Sequence, residues 1–202
     1  MMEIDEFWRW FSGNRERFAG ITNDRLFLDL ILARLKEIHN GLFFETCIDS
    51  NPKEFIVTAS GNTNLFGLVD EIIARAPNLE GWKFVSLKPP RGFQFASNYR
   101  GFLFDPRKMW FIPLKKRDDP KFLGLRIGFE GGCDFAEKQI VRDGTLLVLD
   151  TGLGERIVAT NIQYLEIAQL PTSPRSSGYG PVPELTEYIS SWNSTRQATK
   201  IS

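Results

Sequence analysis

Basic side chains are concentrated in the middle of the chain, between residues 81 and 126. This segment holds eleven basic and three acidic side chains, whereas the whole chain carries 25 of each. Aromatic residues are interleaved with these cations. Cations beside flat rings can hold an acidic protein surface through charge pairs and aromatic anchors, or a nucleic acid through phosphate pairing and base stacking. The binding residues that this pattern predicts are Lys115, Lys116, Arg117, Trp110 and Arg126.

Two kinds of partner and one purely structural interpretation are open for this segment. We favour an acidic protein over a nucleic acid, because a net charge of zero gives the chain no global attraction for polyanions. The structural interpretation places the aromatic rings in the core. It makes Lys115-Lys116-Arg117 a solvated hairpin tip close to Asp118-Asp119-Pro120.

Carboxylates are the other residues that could do chemistry. A pair of them can act as general acid and general base when burial or mutual repulsion separates their pKa values. Asp150 and Glu155 lie five residues apart around a glycine turn, while Glu45 and Glu130 each fall in a predicted strand. An enzyme acting on a small molecule is therefore the alternative function, and it needs two or more of these side chains in one pocket. Charged residues in a one-sided sheet normally point to water, which favours a non-catalytic protein.

Metal, thiol and nucleotide chemistry have little support in the sequence. Cys47 and Cys133 form no C-x-x-C pair, and both are predicted to be buried thiols. The single histidine, His39, follows a predicted helix and is expected to complement its C-terminal dipole. Gly152-Leu153-Gly154 begins like a dinucleotide fingerprint, but position 157 is isoleucine and the stretch is expected to lead to a strand. We predict no metal and no cofactor.

The composition is that of a folded chain with a sizeable core. Its 202 residues are 42% apolar and 13% aromatic, enough for one domain or at most two small units. No apolar run approaches the ~20 residues that cross a bilayer. The acidic start, Met1-Met2-Glu3-Ile4-Asp5-Glu6, is unlike a signal peptide. We expect a cytoplasmic protein that does not bind membranes, and the sequence does not indicate its oligomeric state.

Hydrophobic periodicity predicts an α+β fold with an antiparallel-rich sheet and helices at both termini. In the first half we expect a helix with an aromatic stripe (Ile4, Phe7, Trp8 and Phe11), a helix over 23–39, a hairpin of 42–48 and 54–59, a helix over 61–76 and a strand over 82–87. In the second half we expect strands over 108–112 and 123–130, a helix over 134–149 and a strand over 162–167. The last of these helices could instead end as a strand over 146–149, because Asp143-Gly144 interrupts its pattern.

The order strand, strand, helix, strand thus occurs twice. It predicts two β-β-α-β halves, over 42–88 and 107–168, within a single domain over 1–170. Residues 171–183 are rich in Pro, Ser and Gly and are expected to form a loop, before a C-terminal helix and tail over 184–202.

Two glycines in the strand over 123–130 create a flat surface. Gly124 and Gly128 alternate with Leu123, Leu125 and Ile127, so they lie on the face opposite the apolar one. Glycine weakens a strand and often marks close approach by a ligand or another backbone. We expect packing of the segment 134–149 against this surface, with a ligand as the alternative.

Four aromatic or turn-rich motifs stand out: Trp8-Arg9-Trp10-Phe11, Gly41-Leu42-Phe43-Phe44-Glu45, the segment 76–82, and Leu153-Gly154-Glu155. Together they resemble a family of uncharacterised bacterial proteins grouped as a domain of unknown function, over roughly residues 5–170. The resemblance implies a bacterial cytoplasmic origin. No activity is assigned to that family, so the resemblance transfers no catalytic residue.

Overall fold

A computed structural model of the chain describes residues 2–17, 25–132 and 137–198. Its fold is α+β with helices at both termini, which confirms the predicted class. The chain divides into two compact units, 1–89 and 90–202. The two predicted halves, 42–88 and 107–168, lie one in each unit.

The first unit contains three helices and a three-stranded sheet. Its elements are α1 (Met2–Gly13), α2 (Arg25–Ile38), β1 (Phe43–Cys47), β2 (Lys53–Thr58), α3 (Phe66–Ala74) and β3 (Trp82–Ser86). The strand order is β1-β2-β3, with β1 antiparallel and β3 parallel to β2. Both the predicted hairpin and the predicted strand after the helix are confirmed. Residues 23 and 24 of the helix predicted over 23–39 lie outside the described residues.

Aromatic side chains fix α1 in the core of the first unit. Phe7, Trp8 and Phe11 are each at most 3% exposed and contact the ring of Phe55 in β2. The indole Nε1 of Trp8 also donates a hydrogen bond of 2.8 Å to the carbonyl oxygen of Ile72 in α3. The predicted apolar stripe is confirmed, and it joins α1 to both the sheet and the crossover helix.

The second unit contains more elements than the sequence predicts. They are β4 (Ser97–Tyr99), β5 (Phe102–Phe104), β6 (Met109–Leu114), β7 (Gly124–Phe129), α4 (Lys138–Leu153), α5 (Glu155–Asn161), β8 (Tyr164–Ile167), β9 (Gly180–Pro181) and α6 (Leu185–Ala198). The main sheet has the order β8-β7-β6-β9, and β4 and β5 form a separate hairpin. The hairpin, α5 and β9 were not predicted.

Helix α4 overturns the alternative prediction of a strand over 146–149. It runs to Leu153 without a break at Gly144, which is buried. The ring of Phe104 packs directly against Gly144, in the space that a Cβ atom would occupy. Burial of a large ring therefore compensates for the poor helix propensity of glycine here. Residues 134–136 of the predicted helix lie outside the described residues.

The two units repeat one topology. In the second unit β6 is antiparallel and β8 parallel to the middle strand β7, as β1 and β3 are to β2. Helices α4 and α5 replace α3 in the crossover between the parallel strands. The prediction of two β-β-α-β halves thus holds for the strand order, with an additional helix in the second half.

Truncating Trp8 tests the role of the aromatic stripe. We expect Trp8→Ala to lower the free energy of unfolding by about 3–5 kcal/mol, because it leaves a cavity among buried rings. Trp8→Phe keeps a ring but removes the indole donor, so the Ile72 carbonyl keeps only the 3.3 Å hydrogen bond from the backbone N–H of Arg75, which costs about 0.5–1.5 kcal/mol. Urea denaturation followed by circular dichroism measures both.

The matched control is Leu26→Ala, at a side chain that is 83% exposed on α2. It should change the free energy of unfolding by no more than about 0.5 kcal/mol. A loss below about 1 kcal/mol for Trp8→Ala would contradict the core assignment.

Candidate functional site

All five predicted binding residues lie on β6 and β7 or in the loop between them. Trp110, Ile112, Arg126, Gly128 and Glu166 share the face of the sheet opposite the buried core, here called the outer face. The pairing register shows this, because Trp110 lies opposite Gly128 in β7, Ile112 opposite Arg126, and Arg126 beside Glu166 in β8. The alternate residues of β7 are buried in the core.

A segment that overlaps the predicted loop over 171–183, and begins three residues before it, covers this outer face. Residues 168–181, here called the strap, cross it before ending in β9. Leu170 of the strap sits on Gly128, since a Cβ atom at Gly128 would lie 2.8 Å from Leu170 Cδ1 and 3.1 Å from its Cβ. The guanidinium carbon of Arg175 lies 5.8 Å from the centroid of the Trp110 ring. The surface at Gly128 is therefore a packing surface, as expected, but the strap packs there, whereas α4 packs on the core side of the sheet.

Charges on the outer face are paired. The guanidinium of Arg126 contacts both carboxylate oxygens of Glu166, with Nε–Oε1 at 3.2 Å and Nη2–Oε2 at 3.3 Å. The hydrogen bond with Glu166 raises the pKa of Arg126, burial opposes this, and a hydrogen bond with Tyr179 of the strap adds to it. Arg126 is thus committed to holding β8 and the strap.

Trp110 and Glu130, predicted for two different functions, are brought together. The indole Nε1 of Trp110 donates a 2.8 Å hydrogen bond to Oε1 of Glu130. Beside them the strap and the end of β7 enclose a cleft of about 510 Å³, whose lining includes Gly131, Gly132 and Thr172. A second cleft of about 500 Å³ lies between the strap and α6.

The second cleft is crossed by an ion pair. Arg175 Nη2 lies 2.8 Å from Glu184 Oε1, and both side chains line the cleft. Its inner wall includes Tyr188, whose hydroxyl is buried without a hydrogen-bond partner among the described residues. Burial raises the pKa of Tyr188, so its phenol stays neutral at physiological pH.

The loop between β6 and β7 carries the predicted cation cluster. All residues from 115 to 121, here called the basic loop, are exposed. Lys115 Nζ lies 5.0 Å from the ring centroid of Trp192 in α6, and Lys116 Nζ lies 4.4 Å from that of Phe122. Cation–π contacts of this kind orient the amines while leaving them in water. The cluster is the solvated tip that the structural interpretation describes, with two of its lysines held in place.

Hydrogen bonds also define the backbone of the basic loop. The side chain of Asp119 accepts from the backbone N–H of Lys121 at 2.9 Å, and its carbonyl accepts from Phe122 at 3.1 Å. Just beyond the loop, Gln163 accepts from the N–H of Leu123 at 2.7 Å. The loop therefore presents its cations in one preferred arrangement.

Aromatic residues of the basic segment are buried or half-buried, while most of its cations are exposed. Of the ten aromatic side chains in residues 81–126, all within the described range, none is exposed, and Phe93, Phe104 and Phe111 are buried. Nine of the eleven basic side chains are exposed. Most of these rings thus belong to the core, whereas Trp110 is covered by the strap and Phe122 by Lys116.

Of the three candidate carboxylates in the second unit, Glu130 lies on the opposite side of the sheet from Asp150 and Glu155. Glu45 belongs to β1 of the first unit, where its Oε1 lies 3.3 Å from Lys88 Nζ. Glu130 lies on the outer face of the second sheet, beside Trp110. Asp150 and Glu155 belong to α4 and α5, which cover the opposite, core-facing side. Glu155 has no solvent exposure.

The nucleotide-like motif at Gly152 has a structural role. The Phe93 ring packs against Gly152, and Gly154 takes a φ of 84° at the junction of the two helices. The stretch was expected to lead to a strand without a helix between. This prediction was wrong, because α5 begins at Glu155. Its first residue is a buried carboxylate, which disfavours a phosphate at that helix end.

Cys47 and His39 also differ from expectation. Cys47 is only partly buried, because it lies in the edge strand β1, and Cys133 lies outside the described residues. His39 accepts a hydrogen bond from the N–H of Gly41 through Nδ1, at 2.9 Å. The cation at the end of α2 is Lys36, which donates to the carbonyl of Asn40.

Neither a metal cluster nor a membrane-spanning helix is found in the described part of the chain. No group of three or more His, Cys, Asp or Glu side chains there could hold a metal ion. None of the helices within 2–17, 25–132 and 137–198 has both the length and the apolar character that a bilayer crossing requires.

The fold and these surfaces define an α+β protein built from two strand–strand–helix–strand halves. Comparison of the chain with protein families, curated proteins and solved structures finds no match. The resemblance to the uncharacterised bacterial family therefore stays a prediction.

Sequence reasoning missed the residues that fasten the strap. Glu166 could have been found, because Tyr164 and Glu166 alternate with two apolar residues in β8, which places them on the outer face. Arg175 and Tyr179 lie in a segment without periodicity, and their partners are distant in sequence. Only the glycines of β7 signalled that another segment approaches there.

Adding a methyl group at Gly128 tests the packing of the strap. We expect Gly128→Ala to lower the free energy of unfolding by about 1–3 kcal/mol, because the new Cβ overlaps Leu170 near its own Cβ as well as at its flexible end. Trypsin should also cleave faster at Arg175. Urea denaturation and limited proteolysis measure the two effects.

The control makes the same chemical change in open space. Gly67 is exposed on α3 and has no atom within 4 Å of its Cβ position, so Gly67→Ala should be neutral or stabilise by about 0.5–1 kcal/mol. Equal stability and equal proteolysis of the two variants would contradict the packing of Leu170 on β7.

Proposed function

We propose that the protein is a non-catalytic binding module that docks an acidic surface of a partner protein through the basic loop. The observation that carries the proposal is the exposure of Lys115, Lys116, Arg117 and Lys121 on one short, hydrogen-bonded loop. Against these four cations the loop holds two carboxylates, Asp118 and Asp119, of which Asp119 also accepts a backbone hydrogen bond.

Preorganisation of the lysines supports binding to a protein surface. A long cationic side chain loses rotamer freedom when it forms a salt bridge, which offsets much of the gain at an exposed site. Trp192 and Phe122 already restrict Lys115 and Lys116. Less entropy is therefore lost when an acidic partner binds, and the approach of that partner is accelerated by long-range attraction.

The burial or half-burial of every aromatic side chain in residues 81–126 favours a protein partner over a nucleic acid. Single-stranded nucleic acids are held by bases stacked on exposed aromatic side chains. Within residues 81–126 the aromatic side chains are buried or half-buried, and the rings beside the loop lie under lysines. Trp110 and Arg126 are engaged by the strap and Glu166, so the proposed surface is the loop. The proposed setting is the bacterial cytoplasm, as the family resemblance implies.

A triple substitution in the loop tests this proposal. We immobilise the wild-type protein and the variant Lys115→Ala, Lys116→Ala, Arg117→Ala, and elute bound material from a source-cell extract with increasing salt. The wild type should retain an acidic protein that elutes as salt screens the charges, within a Debye length of about 8 Å at physiological ionic strength. The variant should lose it. With that partner purified, the association rate should fall by about tenfold or more at low salt while dissociation changes little.

The control variant removes three exposed basic side chains elsewhere in the second unit: Arg100→Ala, Lys108→Ala and Lys138→Ala. It has the same net charge as the loop variant and should behave like the wild type. Equal retention by both variants would rule out the loop as the binding surface. If the wild type instead retains nucleic acid that a nuclease removes, the partner is a nucleic acid and not an acidic protein.

A further inference from the structure

The first sheet has an open edge where the second sheet has an additional strand. Among the described residues β1 pairs with β2 on one side and with no strand on the other. In the second unit the corresponding strand, β6, carries β9 on its outer edge. The repeated fold thus has this strand in the second unit, whereas the described residues of the first unit supply none.

Hydrogen bonds of β2 identify the backbone groups that β1 presents at this edge. The carbonyl of Val57 accepts from the N–H of Leu87, so Val57 turns its backbone groups towards β3 and away from β1. Residues directly opposite in an antiparallel pair point their backbone groups either both inward or both outward. Phe44 lies opposite Val57. The N–H and C=O groups of Phe44, and those of Thr46 two residues on, therefore face outward.

Strand β6 of the second unit has positions equivalent to Phe44 and Thr46 of β1. The carbonyl of Ile127 in β7 likewise bonds towards β8, and the residue opposite Ile127 is Phe111. Phe111 is therefore the counterpart of Phe44. In the second unit β9 places Gly180 directly opposite Phe111. The chain itself thus shows what a strand on this edge looks like.

Other sheet edges carry protection that the β1 edge lacks. Native proteins protect open edges with proline, charged side chains or covering segments. Pro113 of β6 removes an outward N–H, and Arg142 donates a 2.6 Å hydrogen bond to the carbonyl of Leu165 in the edge strand β8. Thr46 is the counterpart of Pro113, but it keeps its outward N–H.

We propose that the β1 edge binds an extended peptide segment of another protein as an additional antiparallel strand. Backbone hydrogen bonds to Phe44 and Thr46 would supply the affinity, as in other cases of strand addition. This inference goes beyond the proposed function and depends on different residues, so either can fail without the other.

Side chains of β1 indicate the chemistry of the peptide. Opposite Phe44 it carries glycine or another small residue, because a Cβ atom at the equivalent Gly180 would lie 3.2 Å from the Phe111 ring. Opposite Glu45, whose 49% exposed side chain has Oε1 3.3 Å from Lys88 Nζ, it carries a basic residue that shares this carboxylate with Lys88. Opposite Phe43, which is 39% exposed and has Lys36 Nζ 3.5 Å from its ring centroid, it carries an apolar residue against the part of the ring that Lys36 leaves uncovered. Along the antiparallel peptide the order is basic, small, apolar.

A second copy of the chain fits this edge less well. Antiparallel pairing of two β1 strands over their full length is centred on Glu45, which places two glutamates directly opposite each other. Like charges in that position destabilise the pair. A peptide with a basic residue there gains the opposite interaction.

The test titrates the full chain with the peptide acetyl-Thr-Lys-Gly-Val-Thr-amide. Nuclear magnetic resonance follows the amide shifts and the hydrogen exchange of Phe44 and Thr46, into the millimolar peptide range. Both amides should shift and become protected. A control peptide with sarcosine in place of glycine lacks one N–H donor and should bind about fivefold more weakly.

Thr46→Pro makes β1 resemble β6 and should weaken binding of the glycine peptide by a similar factor, about fivefold. Thr46→Val, which keeps the N–H, is its control. If the proline variant fails to fold, the comparison of the glycine and sarcosine peptides on the wild-type protein still tests the proposal. Unchanged Phe44 and Thr46 signals, equal binding of both peptides, or protection without peptide in a sedimenting dimer would overturn the proposal.

Discussion

The structure depends on one constraint, repeated in each unit: a middle strand that pairs antiparallel on one side and parallel on the other. A parallel neighbour requires a crossover connection, which places a helix against the sheet. This is the role of α3 in the first unit and of α4 with α5 in the second. The middle strand is then covered on both faces. Five of the six residues of β2 and four of the six in β7 are buried.

Burial of the middle strand determines which side chains remain for function. In the second unit, Phe93, Phe104 and Phe111 of the basic segment pack in the core, whereas most cations of that segment lie at the surface. The outer face is not left free either, because Leu170 occupies the surface that Gly128 provides and Glu166 pairs with Arg126. A carboxylate site on this face would compete with contacts that hold the strap. The exposed cations of the β6–β7 loop are not used in this way.

Periodicity predicted the elements that bury a continuous apolar stripe: α1, the β1–β2 hairpin, α3 and the strand order of both halves. It failed where tertiary contacts replace local signals. The turn of the β4–β5 hairpin contains Arg100 and Gly101 at φ values of 50° and 87°, yet arginine is no signal for such a turn. Strand β9 has two residues, one of them proline, and exists because β6 offers an edge. The pattern of cations and rings likewise predicted Trp110 and Arg126 as binding residues, but no local pattern predicted that the strap covers them.

Because the fold is repeated, the difference between the covered edge of β6 and the open edge of β1 supports the proposal that β1 binds a strand. Most sheets have open edges, and an open edge alone says little about partners. Here the second unit fills one edge with Gly180 opposite Phe111, and the first unit repeats the strand with Phe44 in the same position. Where β6 carries proline, β1 carries threonine and keeps its outward donor. The covered edge thus shows that this strand geometry accepts another strand, and the open edge retains the groups needed to do the same.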